Sequence, residues 1–332
     1  MSEKSTNVLE QYDFLLVRSM RGRGAILCET DKGLMLLKEY GGSVLRLTLE
    51  DEILRDLELS GMRVDTYVKN RDEQVLSIDS DGTKYVLKKW FTGRECDVRN
   101  TTEILTAVRT LSELHAALRR AVTGLTEESR EELKRFVAPP LTDAFDRHQR
   151  ELKKVRSYIR AKQKKSEFEL QVLKHFDEFY EQGRESLELL KSSAYGELKA
   201  LANTELRLCH GNYNHHNILM EGKCAAVVNF DKLSMDVQLV DLYLFMRKIL
   251  EKYNWEARIG SQMLEEYEKK LKLSGEEKQV LRYLFLYPEK FWKLVNHYYN
   301  NNKAWIPQKD LEKLDAVIRQ SDEKQECLKK IL

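Results

Sequence analysis

Short apolar runs separated by turn signals open the chain. Between Tyr12 and Tyr40, the runs DFLLVRSM, AILCET and LMLLKEY are split by RGRG and DKG, which predicts three antiparallel strands. Leu45, Leu49, Ile53 and Leu57 then recur at every fourth residue up to Gly61, the pattern of an amphipathic helix closed by a glycine. VDTYVKN and TKYVLKKWF read as two further strands, separated by a polar stretch that ends in the hairpin-type turn Asp81-Gly82. A sheet of about five strands with one inserted helix is therefore expected over residues 1–92. After Gly93 helical periodicity takes over through residue 332, interrupted by two short apolar runs around ELRLCH and AAVVNF. The fold class expected is α+β: a small antiparallel sheet lobe followed by a larger helical lobe, the outline of a protein-kinase-like fold.

Composition narrows the class. With 42% hydrophobic and 33% charged residues in 332, the chain can bury a large core and is neither disordered nor membrane-embedded. Its 56 basic and 54 acidic residues nearly cancel to +2, so no global polycation points to nucleic acid. No segment reaches the roughly 18 apolar residues of a membrane span, and MSEKSTNVLEQYDF has no signal-length apolar stretch, so synthesis and folding in the cytosol are expected. Cys28, Cys96, Cys209, Cys224 and Cys327 lack C-x-x-C spacing, which argues against a zinc site or a disulfide framework. Local charge is concentrated in residues 147–165, where nine Lys or Arg face one acid, Glu151, with Leu152, Val155 and Ile159 on one stripe. This basic stretch lies in a helical insertion near residues 147–192 and reads either as a solvated face packed through its stripe or as a docking surface for an acidic partner.

Candidate chemistry lies between Leu208 and Tyr243. His210-Gly211-Asn212, Asn217, Asn229-Phe230-Asp231 and Asp241-Leu242 fall in order at the spacing of a phosphotransfer loop, a strand and the next helix. Here the chain resembles the aminoglycoside phosphotransferase and choline kinase-like family, whose loop runs H-G-D, four residues, Asn. The resemblance implies ATP and Mg²⁺ as cofactors, with His210 and position 212 in the catalytic loop and Asn217, Asn229 and Asp231 around the metal. Two positions depart from the family: aspartates are replaced by Asn212 and Asn229. An amide accepts hydrogen bonds but takes no proton at neutral pH and brings no charge to a metal. Asp231 would supply the missing carboxylate if residues 229–231 were extended, since alternate residues of a strand share a face; a structural salt bridge is the other reading.

In the sheet lobe, Lys38 ends the third strand, where kinases place the lysine that holds nucleotide phosphates, and Glu50 follows on the helix as its expected partner. Arg21-Gly22-Arg23-Gly24 reads equally as a phosphate-covering loop or a plain hairpin turn. His215 and His216 have no company suited to zinc. The aromatic stretch YPEKFWKLVNHYYNNNKAWIP places Phe291, Val295 and Tyr298 at helical spacing, as core packing requires.

That stretch, with NFDKLSMDVQLVDLYLFMRKILEKYNW and DGTKYVLKKWFTGRECD, is similar to the CotS-type spore coat proteins from about residue 12 to residue 308. The resemblance implies synthesis in the mother cell, deposition on the spore coat and other coat proteins as partners. Two functions are then expected as alternatives: a pseudokinase-like coat or assembly protein with a degenerate phosphotransfer site, or an active small-molecule or protein kinase.

Overall fold

The computed structural model describes residues 3–22, 24–300 and 308–332, and contacts divide the chain into two compact units. The first comprises residues 1–137 and 205–241, the second residues 138–204 and 242–332.

In the first unit, β1 (Leu16–Gly22), β2 (Ala25–Thr30) and β3 (Gly33–Glu39) form the expected antiparallel meander. The turn from β1 to β2 closes on the pair Gly22↔Ala25, while Arg23 of the RGRG segment lies outside the described residues. Helix α1 (Val44–Leu59) follows, with the Ser43 hydroxyl capping the Arg46 amide. It ends at Gly61, whose φ of 90° is open to glycine at no steric cost. β4 (Tyr67–Val68), β5 (Leu76–Ile78) and β6 (Lys84–Lys89) complete a six-stranded sheet of order β1-β2-β3-β6-β4, with β5 also on β6. The expectation of about five strands missed β5, because three residues inside a polar stretch carry no measurable alternation. One face of the sheet buries Ile26, Cys28, Met35, Leu37, Tyr85 and Leu87 beneath Val8, Leu9 and Tyr12. The opposite face carries Leu36, Lys38, Val86, Lys88 and Tyr67, as the cross-strand register requires.

β7 (Arg94–Glu95), α2 (Thr101–Gly124) and α3 (Glu127–Leu133) continue this unit, and α2 buries Ile104, Val108, Leu111, Leu114 and Leu118. Four short strands complete it: β8 (Leu208–Cys209) pairs with β11 (Ser234–Met235), and β9 (Ile218–Glu221) forms a hairpin with β10 (Cys224–Val227) and pairs with β7. At Gly93, φ is 124° and a Cβ would stand 2.5 Å from the Met220 carbonyl oxygen, so only glycine lets the chain enter β7 here.

The second unit is helical: α4 (Leu141–Ala161), α5 (Glu167–Lys191), α6 (Tyr195–Thr204), the continuation of α7 (Leu239–Lys252), α8 (Ala257–Glu268), α9 (Gly275–Leu286), α10 (Glu289–Asn300), α11 (Gln308–Arg319) and α12 (Ser321–Ile331). The basic stretch falls mostly on α4, whose Leu152, Val155 and Ile159 stripe packs with Phe168, Phe176, Phe179, Phe291 and Val295 in one core. Tyr298 sits at the margin of that core, as its spacing predicts, while residues 301–307 of the aromatic stretch lie outside the described residues. No helix among the described residues is long and apolar enough to cross a membrane.

Candidate functional site

A buried carboxylate holds the loop after β8. Asp241, at the start of α7, accepts the amides of His210 (2.7 Å) and Gly211 (3.0 Å) and faces Nε2 of His115 at 3.2 Å. Burial depresses the pKa of both histidines, although Asp241 pulls the other way. His210 Nδ1 accepts the Asn212 amide at 3.2 Å, so its Nε2–H donates to the Val228 carbonyl at 3.0 Å. Gly211 has φ of 74°, and a Cβ there would stand 2.1 Å from the Lys232 carbonyl oxygen. The glycine of the motif therefore lets the loop lie against the segment that carries Asp231.

The three asparagines converge. Asn229 Nδ2 donates to Asn217 Oδ1 at 2.9 Å, and Asn217 Nδ2 donates to the Asn212 carbonyl at 2.9 Å. Asn214 Oδ1 caps the short turn by accepting the His216 amide at 3.0 Å, while its Nδ2 donates to the carbonyl (2.7 Å) and the side-chain oxygen (3.1 Å) of Asn212. Asn229 is not extended, so the condition under which Asp231 would share its face is not met. Its φ of 67° is left-handed, a conformation that asparagine tolerates better than most residues. Its amide donates to Asp65 at 2.9 Å. Strand alternation thus does not aim Asp231; the turn after Phe230 does.

Two lysines stand two rungs apart on one sheet face, Lys38 opposite Val86 and Lys88 opposite Leu36. Lys88 is the buried one. Its ammonium lies 3.2 Å from Glu50, 3.1 Å from Asp65 and 4.4 Å from the centre of the Tyr67 ring, and the Tyr67 hydroxyl donates to Glu50 at 2.6 Å. Burial works against the Lys88 charge, but Asp65 and Glu50 outweigh it and raise the pKa. Burial pushes Asp65 up to about 6 against the pull of Lys88, and its Oδ1 has no hydrogen-bond partner among the described residues.

Lys38 instead forms an ion pair with Asp231, both partly exposed. Burial opposes ionisation of Asp231, yet Lys38, through its hydrogen bond and charge, holds the carboxyl below its usual range. Arg46 fixes this turn by donating to the carbonyls of Asp231 (2.9 Å) and Leu233 (2.7 Å). Tyr40, its phenol raised to about 12 by burial and the nearby Glu50, folds back to donate to the Ser43 carbonyl at 2.9 Å.

All seven residues singled out from the sequence lie in the first unit. His210, Asn212, Asn217 and Asn229 form one hydrogen-bonded chain, and Lys38 meets Asp231. The expected Lys38–Glu50 pair is not formed. Glu50 belongs to the rung that carries both Tyr67 and Lys88, which hold it from two sides. Lys88 and Asp65 were missed. The one available signal was a charge inside each apolar run, Lys88 in YVLKKWF and Asp65 in VDTYV.

Comparison with known proteins bears on the family and the fold. The APH model, described as the phosphotransferase enzyme family, matches residues 26–283. An aminoglycoside phosphotransferase from Alicyclobacillus acidocaldarius subsp. acidocaldarius DSM 446 superposes with a TM-score of 0.84 at 16% identity, covering 98% of this chain and 94% of that one. A spectinomycin phosphotransferase, APH(9)-Ia, solved with ADP and spectinomycin, gives 0.63 at 11% identity over 95% and 94% of the two chains. The amicoumacin kinase hAmiN, solved with AMP-PNP, Ca²⁺ and Ami, gives 0.60 at 12% identity over 97% and 93%. At these identities the structural likeness is one of fold, and it agrees with the expected kinase-like α+β class. With the family model spanning most of the sequence, the chain belongs to the APH phosphotransferase enzyme family.

Proposed function

We propose that this chain is a kinase-fold binding and assembly protein of the spore coat whose phosphotransfer centre is degenerate. One observation carries the reading: Asn212 and Asn229 occupy the two positions where the resemblance expects aspartates, and their amides are bonded within the protein. Neither takes a proton from an acceptor hydroxyl, and loss of a general base forfeits about 10² to 10⁴ in rate.

The residues present do not fit Mg²⁺. Asn217 and Asn229 offer neutral amide oxygens, the former already accepting from the latter, and the one carboxylate of the group is held by Lys38. A small dication that prefers carboxylates and phosphates gains little from such donors. The coat assignment, synthesis in the mother cell and other coat proteins as partners rest on the sequence resemblance, which covers both units. Nucleotide enters as a ligand class because neighbours of this fold were solved with ADP or AMP-PNP.

A phosphotransfer assay tests the catalytic half. Wild-type protein is expected to transfer no phosphoryl group, or to do so at least about 10²-fold more slowly than ordinary kinases, while Asn212→Asp with Asn229→Asp gains Mg²⁺-dependent nucleotide binding. Robust wild-type turnover would replace this reading with the alternative, an active small-molecule or protein kinase using Asp231. For the coat half, a fluorescent fusion followed through sporulation should mark the spore surface. Replacing Lys153, Lys154, Lys164 and Lys165 with glutamate should weaken that recruitment in a salt-sensitive way. A fusion that stays diffuse in the mother cell would remove the coat assignment.

A further inference from the structure

Of the two lysines on the sheet face, only one is open to a ligand. Lys88 is closed in by Glu50 and Asp65, each side chain at most 3% exposed. Lys38 and Asp231 have side chains 31% and 50% exposed, so their ion pair can open to solvent at small cost. We infer that Asp231 is a tethered competitor for Lys38, and that the site takes a di- or triphosphate group without a divalent cation, the phosphate displacing Asp231 from the Lys38 ammonium. This deepens the degenerate-site reading and rests on it.

Charge decides between an anion and a cation here. Lys38, Lys88 and Arg46 face Asp231, Glu50 and Asp65, so the cluster is balanced, and Arg46 is anchored to the main chain of the turn that carries Asp231. A dication seated on Asp231 would have to expel Lys38 and then stand beside it, with the Lys88 charge also felt at that carboxylate. A phosphate that takes Lys38 leaves Asp231 half in water, where an unpaired carboxylate costs little. The three asparagines add no charge for a phosphate to fight, whereas the aspartates for which Asn212 and Asn229 stand would repel it unless a metal lay between. The substitution at position 229 that removes a charged metal ligand therefore also removes the need for a metal.

This arrangement gives a sign that a metal-built site reverses. In calorimetric titrations with EDTA present, Asp231→Asn should bind ADP about 2- to 5-fold more tightly than wild type, the equivalent of releasing one exposed ion pair. Lys38→Met should lose at least about 10-fold, since a charge-assisted contact to phosphate is gone. Inorganic pyrophosphate, run alongside, separates recognition of the phosphates from recognition of the nucleoside: equal gains in Asp231→Asn for both ligands are expected, because the exchange involves the phosphates alone. Added Mg²⁺ should leave the affinity unchanged or lower it. Matching melting curves for the three proteins exclude misfolding as the cause of a loss.

Tighter binding with Mg²⁺ together with weaker binding by Asp231→Asn would overturn the inference. If that result came with turnover, the degenerate-site reading would fall as well. Binding of neither ligand to any variant, in EDTA or Mg²⁺, would overturn the inference alone and leave a coat scaffold that binds no phosphate.

Discussion

Two buried lysines, Lys88 in the first unit and Lys324 in the second, are treated in opposite ways. Lys88, 2% exposed, sits between two carboxylates and over a tyrosine ring. Lys324, 9% exposed on α12, donates to the main-chain carbonyls of Leu286 (3.1 Å) and Tyr287 (3.2 Å) and lies 5.5 Å from the Trp255 ring centre. Burial acts against the charge of both. For Lys88 the acids win and the pKa rises; for Lys324, with the Glu251 charge offset by Arg247, burial wins and the pKa falls to about 7. Depth alone therefore does not say whether a buried lysine is an ion: the formal charge within hydrogen-bond reach does. Lys88 is a fixed cation that organises the candidate site, and Lys324 caps the end of α9 with a group whose charge burial disfavours.

Removing Lys88 should have the largest effect. Lys88→Met leaves Glu50 and Asp65 buried without a counter-charge, a situation that costs about 3–5 kcal/mol. Urea denaturation followed by hydrogen exchange should locate that loss in α1, β4 and β6, because those elements meet at the ammonium. A loss below about 1 kcal/mol would mean that water already reaches the pair and that its apparent burial is not energetic.

Lys324 should respond to pH rather than to truncation. Its folded pKa is depressed from about 10.4 in the unfolded chain to about 7, so the unfolded state binds more protons between these values. Stability should rise with pH across that window, by about 2–3 kcal/mol between pH 7 and 9, and be flat in this respect below it. Lys324→Met should abolish the rise while changing stability at pH 7 by only about 1 kcal/mol, since two capping hydrogen bonds are exchanged for an apolar contact. An unchanged pH slope in Lys324→Met would assign the rise to another group.

The same contrast explains how much could be read beforehand. Apolar runs bounded by turn signals located β1, β2, β3 and β6, the fourfold apolar spacing located α1, and motif spacing located the loop because His210, Gly211 and Asn217 are fixed by local backbone geometry. The Lys88 centre was not legible. It is assembled from α1, β4, β6 and the segment before Asp65, and no spacing along the chain encodes which of two lysines on a sheet face meets a helix glutamate. Asn229 misled for a related reason: an apolar run reads as a strand, and nothing in AAVVNF announces that β10 stops at Val227 and the backbone turns left-handed two residues later. β5 escaped because its register is set by β6, not by its own three residues.

Asp65 offers the finest test of the comparison, because Lys88 carries one positive charge and faces two acids. The surplus falls on Asp65, whose carboxyl is raised to about 6 mainly by burial and whose Oδ1 lacks a partner among the described residues. Its unfolded value is near 3.9, so between these pH values the folded state binds more protons than the unfolded state. The sign is therefore opposite to that of an ordinary salt-bridged carboxylate. Stability from this group is present in full below about pH 4 and is lost as pH rises through about 6, by about 3 kcal/mol in all. Other acids, such as Glu289, held down to about 2, run the other way at lower pH, so the difference between wild type and Asp65→Asn is the quantity to follow. An asparagine oxygen still accepts from the Asn229 amide, and Glu50 still neutralises Lys88, so Asp65→Asn should cost far less than Lys88→Met and its relative stability should improve from pH 4 to pH 6.5. A difference that stays flat across that range would mean that Asp65 remains ionised throughout, and that Lys88 satisfies both acids as fully as one.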